Sequence, residues 1–197
     1  LGALALGGHG AEDEGERGAA APRQLSGRGL AYWTDGRQER ILYVTPGYRL
    51  IALDAKTGQR IPGFGTDGIV DLKLEDDQVM DLIDGEVGLH STPTVARNVV
   101  IIGAAHRSGG VPKTHNNVRG YIRGFDVRTG KLRWTFHVVP QEGDPALKTW
   151  KGDSWRFTGA GNVWALMSAD DDLGYVYLPT TSMTNDMYGG HRLGDTL

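Results

Sequence analysis

An internal repeat constrains this chain more than any other sequence feature. Residues 53–59, Leu-Asp-Ala-Lys-Thr-Gly-Gln, return at positions 125–131 as Phe-Asp-Val-Arg-Thr-Gly-Lys, an offset of 72 residues. Asp-x-x-Thr-Gly is a turn sequence, because Asp and Thr side chains bind nearby backbone N–H groups and Gly adopts a positive φ. One copy is also typical of a generic hairpin loop. Two copies that each follow an apolar strand predict a repeated β unit.

The strand pattern upstream of each turn repeats as well. Pairs of short β-type runs separated by turn residues occur at 29–33 and 41–44, at 91–95 and 99–102, and at 163–168 and 175–178. A unit of strand, turn, strand, loop, strand, Asp-x-x-Thr-Gly turn and strand is a four-stranded antiparallel meander, the blade of a β-propeller. Gly, at 30 of 197 residues, fits a chain rich in tight turns. We therefore predict an all-β fold with about two and a half blades.

The two ends of the chain lead to a further expectation. Residues 1–24 are Gly/Ala-rich and charged, which predicts a poorly ordered arm ahead of an incomplete propeller domain at 25–197. Residues 1–8 also resemble the end of a secretory h-region, although no basic n-region precedes them. Two and a half blades cannot close a ring. We therefore expect an N-terminal fragment of a larger protein.

Composition excludes several classes of function. The chain has no Cys, which rules out a disulfide scaffold, a thiolate metal site and a cysteine nucleophile. Its formal net charge of −3 argues against nucleic-acid binding, since no surplus of Lys and Arg is available to neutralise phosphates. No Gly-rich phosphate loop precedes a helix, which disfavours a nucleotide cofactor.

Several motifs together carry a resemblance to a known family. They are Gly-Arg-Gly-Leu-Ala-Tyr-Trp at 27–33, residues 43–46 and 49–58, residues 119–121 and 123–130 with Trp134, Asn-Val-Trp at 162–164, and residues 177–192. Over residues 25–197 the chain resembles the pyrroloquinoline quinone (PQQ) dependent dehydrogenases, and most closely the glucose dehydrogenase-like quinoproteins. This resemblance implies an eight-bladed propeller with PQQ on its axis.

The resemblance also implies a reaction and its partners. A glucose-like sugar or an alcohol would give two electrons to PQQ, which a divalent cation, calcium or alternatively magnesium, polarises. Electrons would pass to a quinone or a cytochrome. The expected location is the periplasm or the periplasmic face of the inner membrane, with membrane association of the parent protein as a further expectation.

Four residues are carried over as candidate site residues. Arg28 matches the family arginine near the quinone oxygens, where a permanent cation stabilises developing negative charge, and it is our one catalytic candidate. Trp164 matches the tryptophan beneath PQQ, and Thr184 matches a residue that binds a PQQ carboxylate. His90 matches no family residue but opens the first strand of the second blade, a place analogous to those of Arg28 and Trp164. The alternatives are a solvated arginine, a core tryptophan, a surface-loop threonine and a structural histidine.

Departures from the family pattern limit what the resemblance implies. The vicinal cysteine pair of the alcohol-oxidising members is missing, which favours the glucose-like branch, and Gln24 stands where some glucose-type members have His. The loop at 108–118 contains no acid, so we assign no metal ligand. The general base of the family, an Asp on later blades, has no counterpart. We therefore expect the chain alone to be inactive.

Two other functions remain open at this point. A non-enzymatic propeller scaffold would contain the same blade repeats without Arg28 and Trp164. A calcium-binding or carbohydrate-binding β module would need Asp170, Asp171 and Asp172 to meet one ion, whereas three adjacent acids in a hairpin turn do not all point the same way. We assign structural roles to Trp134 and to the Asp and Thr residues of the two repeated turns, which are Asp54, Thr57, Asp126 and Thr129.

Overall fold

The computed structural model describes residues 14–22, 29–74, 77–84, 86–89, 91–107, 117–184 and 187–196. Within these residues the chain forms one short helix, α1 (Gly15–Ala20), and 14 strands. The strands are β1 (Ala31–Thr34), β2 (Glu39–Val44), β3 (Arg49–Asp54), β4 (Ile69–Asp71), β5 (Val87–Gly88), β6 (Thr94–Ala96), β7 (Val99–Ile102), β8 (Ala105–His106), β9 (Ile122–Asp126), β10 (Leu132–Phe136), β11 (Trp150–Lys151), β12 (Ser168–Asp170), β13 (Tyr175–Tyr177) and β14 (Leu193–Gly194). Two 3₁₀ turns are found at Pro145–Thr149 and Ser154–Arg156.

Three antiparallel sheets follow one another along the chain. The first has the order β1-β2-β3-β4 and the second the order β10-β9-β7-β6, while the third consists of β12 and β13. The prediction of two four-stranded blades and half of a third is therefore confirmed. Two shorter strand pairs, β5 with β8 and β11 with β14, lie outside these three sheets.

The first strands of the second and third sheets begin later than predicted. β6 begins at Thr94 rather than at residue 91, and Pro93, which has no N–H to donate to a ladder, stands immediately before it. β12 begins at Ser168 rather than at residue 163. The backbone of Val163 is engaged elsewhere, since its carbonyl accepts a hydrogen bond of 3.0 Å from the N–H of Ala104.

The two Asp-x-x-Thr-Gly turns have the same geometry. In the first, Asp54 Oδ1 accepts from the N–H of Lys56 (3.0 Å) and from the N–H (2.8 Å) and hydroxyl (3.0 Å) of Thr57. In the second, Asp126 Oδ1 accepts the equivalent bonds at 2.9, 2.9 and 3.1 Å. The closing glycines have φ of 71° and 72°. The structural role predicted for these residues is confirmed.

The fourth strand of the first sheet is delayed. β4 begins at Ile69, well after the turn that ends at Gly58, because residues 61–68 form a compact loop. Phe64 in this loop is fully buried, and the N–H of Gly65 donates to the carbonyl of Thr129 in the second turn (2.9 Å). The loop therefore fills the space between the first two sheets.

The two central strands of the second sheet, β7 and β9, are buried on both faces. One face contributes Val100 and Phe125 to the core that it shares with the first sheet. The other contributes Ile101 and Ile122 to a second core, against which Trp134 packs together with residues of the third sheet. Trp134 therefore packs over the neighbouring sheet, in agreement with the structural role assigned to it. Successive side chains of a strand point to opposite faces, and the alternation of β7 supplies both cores.

Helix α1 lies within the segment for which an arm is predicted, and it docks on the first sheet. Arg17, 5% exposed, donates two bonds of 2.7 Å to the carboxylate of Asp71 and one of 2.6 Å to the carbonyl of Gly47. Burial acts to raise the pKa of Asp71, but the hydrogen bond and the charge of Arg17 outweigh it and hold that pKa below its ordinary value. No helix in the described part of the chain is long and apolar enough to cross a membrane.

Candidate functional site

The first strands of the three sheets lie side by side, with β6 between β1 and β12. A Cβ at Gly29, just before β1, would overlap the side chain of Thr92, just before β6. The hydroxyl of Thr94 donates to the carbonyl of Met167, just before β12, at 3.4 Å. The segments that lead into these strands therefore lie at one end of neighbouring strands.

Two of the four candidate site residues fall outside the described residues. These are Arg28 and His90. The residues that follow them, Gly29 and Ser91, are described and belong to the segments that lead into β1 and β6. The roles of Arg28 and His90 stay predictions.

Trp164 differs from the other tryptophans in its exposure. Its side chain is 49% exposed, whereas Trp33 and Trp150 are buried at 4% and 7%. The residue before it, Val163, is fully buried in the second core. The backbone is thus fixed in the interior while the next side chain presents a large aromatic surface, as a platform for a flat ligand requires.

Asn162 anchors the segment that leads to Trp164. Its side-chain N–H group donates to the carbonyl of Ala104 at 2.6 Å, and the hydroxyl of Thr181 lies 2.5 Å from its Oδ1. Asn162 is 6% exposed. In the sequence, Asn162 belongs to the Asn-Val-Trp motif but has no assigned role, and its polar side chain directly before an apolar residue is the one local signal.

Thr184 belongs to a segment paired with the one that precedes Trp164. The N–H of Thr181 donates to Asn162 (2.9 Å), and the N–H of Thr184 donates to Gly159 (3.1 Å). Thr184 itself is 6% exposed, and its carbonyl accepts from His191 Nε2 at 2.8 Å and from Arg192 at 2.6 Å. It is therefore a buried residue rather than a surface-loop threonine.

Ser91 is a polar residue that sequence reasoning missed. Its side chain is 6% exposed, and its hydroxyl has no hydrogen-bond partner among the described residues. A buried hydroxyl without a partner is costly, and such a group in the segment that leads into β6 is suited to bind a ligand.

The acidic hairpin between β12 and β13 has a structural explanation. Asp170 Oδ1 accepts from the N–H of Leu173 (2.9 Å), and Asp171 Oδ1 accepts from the N–H of Arg97 in the neighbouring hairpin (2.9 Å). Among the residues that the structure describes, no group of three or more His, Cys, Asp or Glu side chains could hold a metal ion.

Comparison with known proteins places this geometry in a family. Residues 11–197 match the family described as PQQ, glucose/ethanol/alcohol dehydrogenase, beta-propeller domain. The chain belongs to this family of PQQ dehydrogenase propellers. Quinohemoprotein alcohol dehydrogenase ADH IIB of Pseudomonas putida is 36% identical over 165 residues, which cover 78% of this chain and 20% of that protein. Quinoprotein glucose dehydrogenase of Escherichia coli is 34% identical over 157 residues, 77% of this chain and 18% of that protein.

A solved structure supports the same fold. Quinohemoprotein alcohol dehydrogenase ADHIIG from Pseudomonas putida HK5 is similar to this PQQ dehydrogenase propeller with a TM-score of 0.62 and 28% identity, covering 85% of this chain and 22% of that one. The chain spans about a fifth of the length of the curated relatives it matches. Both alcohol and glucose dehydrogenases are among them, so the glucose-like branch stays a prediction.

Proposed function

We propose that this chain is part of a PQQ-dependent dehydrogenase that oxidises a glucose-like sugar or an alcohol and passes electrons to a quinone or cytochrome in the periplasm. The observation that carries the proposal is Trp164, whose half-exposed side chain follows the buried Val163. Rigid aromatic surface at the end of an anchored segment is what a flat tricyclic cofactor needs.

The described residues fit PQQ in two respects. Trp164 offers an indole face for stacking, and Ser91 offers a buried hydroxyl that has no partner among the described residues. When bound, PQQ supplies the two-electron acceptor that protein side chains lack. Trp164 would support the ring system, and Arg28 would hold a permanent positive charge near its oxygens.

The described residues do not fit the expected divalent cation as they fit PQQ. The described residues contain no cluster of acids and histidines that fits it, so we derive no step through a metal. A general base must reach the proton that it removes, and no residue of this chain is assigned that role. We therefore expect the chain to bind the cofactor without turning over substrate.

A PQQ titration tests the proposal. Tryptophan fluorescence of the 197-residue chain is followed as PQQ is added, for the wild type, Trp164→Ala and the control Trp155→Ala. We expect saturable quenching, with binding about tenfold weaker in Trp164→Ala, since a good aromatic contact contributes about 0.5–1.5 kcal/mol beyond buried area. Trp155→Ala should bind like the wild type.

Other outcomes would contradict particular parts of the proposal. Equal losses in both variants would remove Trp164 from the site, and absence of saturable quenching in the wild type would reject cofactor binding by this chain. Dye-linked assays with glucose and ethanol should give no turnover. Measurable oxidation of either substrate would show that a base within the chain had been missed.

A further inference from the structure

Tyr48 has an unusual backbone for a large buried residue. It lies in the turn between β2 and β3, its φ is 64°, and its side chain is 1% exposed. A bulky residue in the left-handed region is an outlier that costs on the order of 1–3 kcal/mol and persists only when its surroundings fix it. The contacts of the Tyr48 side chain are therefore what hold this backbone conformation.

The hydroxyl of Tyr48 joins the first sheet to the second. It donates to the carbonyl of Gly103, directly after β7, at 2.8 Å, and it accepts from Arg123 at 3.2 Å. Arg123 is 1% exposed and donates to the carbonyl of Leu72 at 2.7 Å. The buried guanidinium thus orients the phenol, and the phenol holds the backbone at Gly103.

Gly103 in turn lies against the segment that precedes Trp164. A Cβ at Gly103 would overlap the carbonyl of Val163, and the next residue, Ala104, binds that carbonyl through its N–H at 3.0 Å. The carbonyl of Ala104 accepts from the side chain of Asn162 at 2.6 Å. The position of residues 162–163 therefore depends on where the backbone at 103–104 is held.

We propose that Tyr48 and Arg123 are positioning residues for Trp164. They act through the backbone at Gly103 and fix the orientation of an indole that lies 116 positions beyond Tyr48 in the sequence (164 against 48). The significance of that orientation for cofactor binding rests on the proposed function. The orientation itself is independent of it.

Fluorine NMR of the full chain labelled with 5-fluorotryptophan tests the proposal. The chain has five tryptophans, and the resonance of Trp164 is the one lost in Trp164→Phe. Tyr48→Phe, which removes one oxygen, should shift or split that resonance. Tyr43→Phe is the matched control, because Tyr43 lies in the same sheet but packs in a separate cluster with Ile51 and Leu53.

A second variant and a second measurement make the test independent of folding. Arg123→Lys keeps the charge but changes the geometry of the bond to Tyr48, and it should move the Trp164 resonance in the same direction. PQQ affinity by fluorescence should fall about three- to tenfold in Tyr48→Phe and stay unchanged in Tyr43→Phe, a fold-change that corresponds to about 0.6–1.4 kcal/mol.

The outcomes separate this proposal from the proposed function. An unmoved Trp164 resonance in folded Tyr48→Phe, or an equal movement in Tyr43→Phe, would overturn the positioning role even if PQQ binds. A resonance that moves as expected while the wild type binds no PQQ would support the positioning role and reject cofactor binding.

Discussion

The guanidinium carbon of Arg128 lies 4.5 Å from the ring centre of Trp33. Arg128 belongs to the second Asp-x-x-Thr-Gly turn, and Trp33 belongs to the first strand of the preceding sheet. The same guanidinium donates to Asp35 Oδ2 at 3.0 Å. The repeated turn therefore does more than reverse the chain, because it also docks one sheet on the other.

Replacement of Arg128 by Ala should destabilise the chain by about 1 kcal/mol, within the range of a partly desolvated cation–π contact. Lys56 occupies the equivalent position in the first turn and is 66% exposed, so Lys56→Ala is the matched control and should cost less than about 0.5 kcal/mol. Guanidinium denaturation measures both. Equal losses would contradict a docking role for Arg128.

The Asp35 contact should give a distinctive pH dependence. Three hydrogen-bond donors lower the pKa of Asp35 to about 2. The backbone N–H of Gln38 has the largest effect, followed by the backbone N–H of Arg37 and the side chain of Arg128. Because the pKa of Asp35 is lower in the folded chain than in the unfolded one, the ionised carboxylate stabilises the fold. This stabilisation is complete above the unfolded pKa of about 3.9 and is lost as the pH falls through the pKa of the folded state.

The stability difference between wild type and Asp35→Asn should therefore be constant from about pH 7 to pH 5, smaller near pH 3 and absent below about pH 2. Asp67→Asn, on an exposed turn, controls for loss of one negative charge. Denaturation midpoints of the variants and the wild type, measured across this pH range, test the predicted pH dependence. A difference that grows on acidification would have the wrong sign.

Gly124 should not tolerate a side chain. A Cβ at this position would overlap the indole of Trp134, which lies across it at the irregular point of the β9–β10 pairing. Gly124→Ala should cost about 1–3 kcal/mol, as overpacking does. At Gly63 a Cβ would meet nothing within 4 Å, so Gly63→Ala should be nearly neutral. Thermal unfolding of the two variants checks this contrast, which similar melting temperatures would refute.

Loss of the Arg17 ion pair should release α1 from the first sheet. Arg17→Ala leaves the carboxylate of Asp71, 23% exposed, without its bidentate partner, and should cost about 3 kcal/mol at most. Arg17→Lys should restore only part of this, since an ammonium cannot form the paired bonds. Arg37→Ala is the exposed control. We expect proteolysis near residue 17 to be faster in Arg17→Ala but not in Arg37→Ala. Equal proteolysis rates in the two variants would contradict the release of α1.

The elements that the sequence predicted well are those set by local bonds. The side chain of Asp54 binds N–H groups two and three residues away, so the turn can be recognised from a few letters. The strand alternation of β7 is similarly local. Helix α1 is not, because its six residues have no apolar period and its docking depends on Asp71, 54 positions from Arg17.

The candidate site was predictable only in part for the same reason. Trp164 and Thr184 came from a resemblance, which gave their identity but not their burial. Ser91 and Asn162 went unassigned because their environment comes from segments distant in the sequence. Arg123 is a charged residue within a strand. The neighbouring sequence does not indicate that its guanidinium is buried and donates hydrogen bonds to the carbonyl of Leu72 and the hydroxyl of Tyr48.

The docking of each sheet on the one before it has a consequence for how the chain is made. The turn that contains Arg128 closes onto Trp33, and Trp134 closes onto the sheet that follows. Contacts between sequential units allow a chain to fold in the order of its synthesis. During translation, the first sheet would leave the ribosome before the residues that cover it, and each later sheet would find its template already in place.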